Sequence, residues 1–114
     1  VNSDIGLCYI PQNKIYDVQP PLKLFEYLAA SLAVVATNTS ENRKIIKTDY
    51  NGIISSDDAQ DFASGILKLI DDPILLQRTR SVAKKSISDY DWSRISETLL
   101  SVYSRQLNSL CKKK

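Results

Sequence analysis

Polarity along the chain divides it into short apolar runs and longer segments of helical period. Asp4-Ile5-Gly6-Leu7-Cys8-Tyr9-Ile10 is a short apolar run closed by Pro11, which predicts a buried parallel strand. Gln12 to Gln19 is polar and reads as a loop. From Pro20 to Ser31 the pattern turns helical. Leu22, Phe25, Leu28, Ala29 and Leu32 take one face as the predicted core side, and Lys23, Glu26, Tyr27 and Ala30 take the other. Ala33 to Thr37 follows as a second strand, and a short helix begins after Ser40 with Glu41 in its favourable first turn. Gly52 to Ser55 predicts a third strand. Ser56-Asp57-Asp58 then caps a long helix whose apolar side carries Phe62, Ile66, Leu69 and Ile70. Pro73 opens another helix, to about Ser88, with Leu75, Leu76, Thr79, Val82 and Ala83 in period. The last helix runs from Trp92 to about Leu110 on a stripe of Ile95, Leu99, Val102, Tyr103 and Leu107, with Tyr90 and Trp92 expected to pack and set it.

Strands alternating with helices predict an α/β fold around a parallel, Rossmann-like sheet, with right-handed crossovers placing helices on both faces. Ligands in such sheets bind beyond the carboxyl ends of the strands. That edge is formed here by the loop from Pro11 to Gln19 and the start of the first helix. Leu7, Tyr9 and Ile10 belong to a strand expected to leave an open flank.

Length and composition narrow the picture further. A chain of 114 residues makes one domain at most. An apolar share of 43% and a charged share of 25% suit a folded aqueous protein, and no apolar run approaches a membrane span. The net charge of +2 is too small to argue for nucleic acid, and Lys112-Lys113-Lys114 reads as a solvated tail. Cys8 and Cys111 are too far apart in sequence to form a framework, and Cys8 lies in an apolar run that suits a buried structural thiol. With no His, little remains to build a transition-metal site. A reduced, cytoplasmic setting is expected, at most peripheral to the inner face of a membrane. The chain contains no Met, at position 1 or elsewhere, so a fragment or excised domain is expected.

The candidate chemistry centres on the first helix. Pro20 and Pro21 fit a helix start, where first-turn N–H groups have no intrahelical partner to lose. The amides of Leu22, Lys23 and Leu24 would then face outward, where the helix dipole favours an anion such as a phosphate. Lys23 either reaches that phosphate or pairs with Glu26, and both readings stay open. Glu26, about one turn deeper, suits sugar hydroxyls, so that amides plus carboxylate match a nucleoside diphosphate. Asn38 and Thr39, at the end of the second strand, are either edge ligands or turn and cap residues.

Pro21-Leu22-Lys23-Leu24-Phe25-Glu26-Tyr27-Leu28-Ala29, followed by Leu32-Ala33-Val34-Val35-Ala36-Thr37-Asn38, resembles the donor-binding half of retaining glycosyltransferases with the GT-B fold. The group resembled is family 4, the glycosyl transferases group 1, in its bacterial polysaccharide form. The resemblance continues through Ser40 to Ile46, Asp49-Tyr50-Asn51-Gly52-Ile53-Ile54, Asp58 to Asp72 and Tyr90-Asp91-Trp92-Ser93. It implies that residues 1–114 are part of a C-terminal nucleotide-sugar-binding domain. The implied partner is a nucleoside-diphosphate sugar donor, whose sugar passes with retention to a glycan or lipid-linked acceptor. The implied site residues are Glu26 on the ribose and the amides of Leu22, Lys23 and Leu24 on the phosphates. No residue here is implied to be catalytic, and no cofactor, metal or nucleic acid is implied. The family's carboxylate pair is spaced Glu-x7-Glu. Glu26 matches the second member, the first falls on Val18, and Asp17, one residue away, substitutes only if the loop shifts register. The N-terminal acceptor domain and the earlier β-α units are not in this chain, so it is expected to be inactive alone and to self-associate through an uncovered sheet edge. A non-catalytic, flavodoxin-like α/β binding or scaffold module is the alternative. It is consistent with the lack of a Gly-rich phosphate loop, since the only glycines are Gly6, Gly52 and Gly65.

Overall fold

The computed structural model describes residues 2–111. Three strands, β1 (Ile5–Cys8), β2 (Ala33–Thr37) and β3 (Gly52–Ser55), form one parallel sheet in the order β1-β2-β3. Ile5 pairs with Ala33, and Val34 with Gly52. Helix α1 (Leu22–Ala29) connects β1 to β2, and α2 (Ser40–Ile45) connects β2 to β3. Then come α3 (Ala59–Asp71), α4 (Pro73–Ser86), a 3-10 turn at Ser88–Tyr90 and α5 (Trp92–Cys111). The architecture is the expected α/β one, a Rossmann-like half of a GT-B fold.

All five residues of β2 are buried, because this central strand has a layer on each face. Val34 and Ala36 join Cys8, Leu24, Leu28, Ile45, Ile46 and Ala83 on one side. Ala33 and Val35 join Ile53, Phe62, Leu69 and Leu75 on the other. Helix α4 gives Leu75 to one cluster and Ala83 to the opposite one, so it passes around the amino edge of the sheet. Arg80 fixes it there, donating to the Ser31 carbonyl at 3.2 Å and pairing with Asp4.

The buried face of α1 differs from the expected one. Leu22 is 78% exposed, and the inward pair is Leu24 and Leu28. These two are four residues apart and share a stripe, whereas Leu22 lies about 200° around the helix from Leu24 and cannot join them. Tyr27 also turns inward, because Gly6 on β1 leaves space for it. A Cβ at Gly6 would come within 2.5 Å of the Tyr27 ring. The helix ends on Ser31 at φ 60°, with Leu32 N–H bonded to the Tyr27 carbonyl and Ser31 N–H to that of Leu28. This is a Schellman stop with serine where glycine is the usual residue.

Helix α5 is the largest departure. It has no buried residue, and its stripe of Ile95, Leu99, Val102, Tyr103 and Leu107 is exposed. Tyr90 does pack, against Phe25 with ring centroids 5.0 Å apart, but Trp92 is 81% exposed. The described residues extend over 65 × 32 × 21 Å, and no layer of the sheet covers this face of α5. At the edge of the sheet, Leu7 on β1 and Tyr9 just past it are exposed as expected, whereas Ile10 is half-buried against the core around Cys8 and Leu24.

Candidate functional site

The carboxyl edge of the sheet is cross-linked by side chains before any ligand is considered. Beyond β1, the Ile10 N–H donates to Thr37 Oγ1 at 2.9 Å. Gln12 and Asp57 exchange hydrogen bonds, Gln12 N–H to Asp57 Oδ2 at 2.8 Å and Asp57 N–H to Gln12 Oε1 at 3.2 Å. Gln12 Nε2 also donates to the Asn38 carbonyl at 2.7 Å, and the Tyr9 hydroxyl to that of Asp57 at 3.2 Å. The ends of all three strands are thereby joined. Asn38 serves this frame, its Oδ1 accepting from Arg43 at 2.8 Å, while Thr39 caps α2 by accepting from the Asn42 N–H.

Asp17 occupies a defined place in the same frame. Its Oδ1 accepts from the Ser40 N–H at 2.8 Å and its Oδ2 from the Ser40 hydroxyl. The Glu41 N–H approaches the Asp17 carbonyl at 3.4 Å. The Ser40 hydroxyl and then the Ser40 amide hold the Asp17 carboxyl below its ordinary value, with Arg43 adding to the effect.

At the start of α1, Pro20 and Pro21 carry no N–H, and Pro21 is the N-cap with extended backbone and no side-chain cap. The Leu24 N–H is used within the helix, bonded to the Pro21 carbonyl at 3.0 Å. The amides of Leu22 and Lys23 take no partner among the described hydrogen bonds. Beside them lies a pocket of about 440 Å³ lined by Ile10, Tyr16, Gln19, Pro20 and Pro21. Glu26 lies four residues past Leu22, about 6 Å along the axis. It is exposed on the side away from Leu24 and Leu28 and enters no ion pair or hydrogen bond among those described. It also borders an open groove between α1 and the start of α5, together with Leu22, Lys85, Tyr90 and Trp92. The structure thus gathers on α1 two amides and one carboxylate that have no partner among the described residues, and ties Asp17 to α2.

Neither Gln12–Asp57 nor Asp17–Ser40 was visible as a pair in the sequence, since the partners are 45 and 23 residues apart. The only local signal was Ser40 beside Thr39 as a cap candidate. Burial pushes the Cys8 thiol up to about 11, partly offset by Lys23, so it stays protonated at neutral pH and is no nucleophile. Among the described residues no cluster of three or more His, Cys, Asp or Glu is placed to hold a metal ion. No described helix is long and apolar enough to cross a membrane.

The model of the family described as glycosyl transferases group 1 matches residues 19–86, from just before α1 to the end of α4. The chain is similar to a phosphatidyl-myo-inositol mannosyltransferase of Mycolicibacterium smegmatis, 30% identical over 81 residues that cover 70% of this chain and 21% of the relative. It is also similar to spore coat protein SA of Bacillus subtilis, 29% identical over 84 residues that cover 71% of this chain and 22% of the relative. The chain spans about a fifth of the length of these curated relatives.

Proposed function

The chain belongs to the glycosyl transferases group 1 family, and we propose that it forms part of the C-terminal, donor-binding domain of a glycosyltransferase. The donor is a nucleoside-diphosphate sugar, and the sugar passes with retention to a glycan or lipid-linked acceptor. One observation carries this reading: Glu26 stands exposed about one helical turn below the amides of Leu22 and Lys23, and none of the three has a partner among the described residues. An oriented pair of N–H groups at a helix start stabilises negative charge growing on a leaving diphosphate. The Glu26 carboxylate, which makes no ion pair among the described residues, accepts hydrogen bonds from the two ribose hydroxyls.

This part of the protein supplies donor binding, and the acceptor is held by an N-terminal domain outside this chain. The chain alone is therefore inactive. The mannosyltransferase relative is named for a lipid acceptor, phosphatidyl-myo-inositol, which fits a lipid-linked acceptor here and a cytoplasmic site at most peripheral to the inner face of a membrane. The open β1 edge leads the isolated chain to self-associate. Calorimetric titration of the full-length protein with nucleoside diphosphates tests the reading. Saturable binding that weakens in Glu26→Ala is expected, and a protein that binds none of the common nucleoside diphosphates overturns it.

A further inference from the structure

We propose that Asp17 is a positioning residue, which acts through Ser40 to set where the chain enters α1 and so where the Leu22 and Lys23 amides stand. The proposal rests on the donor-site reading above. The loop leading into α1 is tied down at two points. Gln12 holds its start to Asn38 and Asp57, and Asp17 holds its end to Ser40. Between Asp17 and Leu22 stand only Val18, Gln19 and two prolines whose φ is fixed by their rings. So short and stiff a connection transmits the placement of Asp17 directly to the first turn of the helix.

Both carboxylate oxygens are already engaged by Ser40, one by its amide and one by its hydroxyl. The same hydroxyl oxygen accepts from Arg43 Nη2 at 3.3 Å. Each oxygen keeps a second lone pair, but the two Ser40 bonds already fix where the carboxylate stands and how it is turned. The arrangement fits a carboxylate that is fixed before the donor arrives. Asparagine at position 17 keeps one carbonyl oxygen able to accept from the Ser40 amide, whereas alanine keeps none.

The test is donor kinetics of the full-length enzyme carrying Asp17→Ala, Asp17→Asn, Ser40→Ala and the Asp17→Ala/Ser40→Ala double variant. Asp17→Ala is expected to raise the donor KM about tenfold with a smaller change in kcat, the scale of a misplaced binding group. Asp17→Asn should recover most of that loss, Ser40→Ala should reproduce part of it, and the double variant should be no worse than Asp17→Ala. An Asn variant as poor as Ala, a neutral Ser40→Ala, or a double variant worse than Asp17→Ala by the full Ser40→Ala loss would on its own overturn the proposal in favour of direct sugar contact. Amide hydrogen exchange on the same proteins without donor gives an independent reading. Faster exchange at Ser40 and over residues 12–19 in Asp17→Ala supports the link, and unchanged exchange overturns it. Because this readout uses no donor, it decides the role of Asp17 even where Glu26→Ala leaves donor binding intact and the donor reading falls.

Discussion

Lys23 and Glu26, one turn apart on α1, do not pair. The Lys23 ammonium donates to the Tyr9 carbonyl just past β1, at 3.3 Å, and Glu26 forms no ion pair among the described residues. The direction of Lys23 follows from the way α1 lies on the sheet. Leu24 and Leu28 point into the core, so Lys23 and Tyr27 project over β1, where a carbonyl beyond the last ladder bond needs a donor. Glu26 lies on the far side of the helix. A carboxylate with no internal partner costs the fold nothing when a ligand takes it, and in the proposed site that ligand is the ribose.

The stop of α1 has room for improvement. Ser31 holds φ 60°, a conformation that disfavours side chains by about 1–2 kcal/mol. Part of the gain from glycine is lost to its greater freedom in the unfolded chain. Ser31→Gly is therefore expected to stabilise the domain by about 0.5–1 kcal/mol, read as a higher urea midpoint with unchanged slope. An unchanged or lower midpoint would show that the Ser31 side chain contributes more than its backbone strain costs.

Acid should weaken the domain through two carboxylates. Asp17 is held below its ordinary value of 3.8 by Ser40, and Asp61 by Ser56, with Ser55 adding to it. In each case the folded protein binds its proton less readily than the unfolded chain does. The stabilisation is thus fully present above the ordinary carboxylate range and fades as pH falls through 3.8 towards the lower folded values. Urea unfolding followed from pH 7 to pH 3 should show this decline, and it should be shallower in Asp17→Asn and Asp61→Asn. Identical slopes in wild type and both variants would contradict it.

Two exposed apolar surfaces are available for the proposed self-association of the isolated chain. Leu7 lies on the open β1 edge with Tyr9 just beyond it, and Leu99, Tyr103 and Leu107 form the exposed stripe of α5. The edge reading predicts that Leu7→Lys lowers the mass seen by light scattering while Leu99→Lys leaves it unchanged. A wild-type chain that stays monomeric at high concentration would contradict self-association by either surface.

Much of the fold was legible because the sheet is simple. A short β-branched apolar run such as Ala33 to Ala36 suits a strand covered on both faces, and Pro73 and Asp58 mark helix starts by local chemistry alone. Helical periodicity was less decisive on α1. With apolar residues at 22, 24, 25, 28 and 29, two stripes compete, and the contact with Gly6 on a distant strand selects the one through Leu24. The stripe of α5 was read correctly as amphipathic, but a pattern states that a face is apolar and not what covers it. At the candidate site, the exposed Glu26 and the Leu22 and Lys23 amides could be proposed from the sequence because they lie on one helix, whereas the third proposed amide, that of Leu24, is taken by the Pro21 carbonyl. The Asp17–Ser40 link could not be proposed, because it joins segments that only folding brings together.

The central claim is that Glu26 anchors the ribose of the donor, and steady-state kinetics of Glu26→Ala in the full-length enzyme test it most directly. Loss of hydrogen bonds to a charged group costs about 1.5–3 kcal/mol, so donor kcat/KM should fall roughly ten- to a hundredfold. The loss should appear mainly in the donor KM, with the acceptor KM unchanged. Donor KM and kcat equal to those of the wild type would contradict the account and leave α1 as an ordinary core helix with a solvated carboxylate.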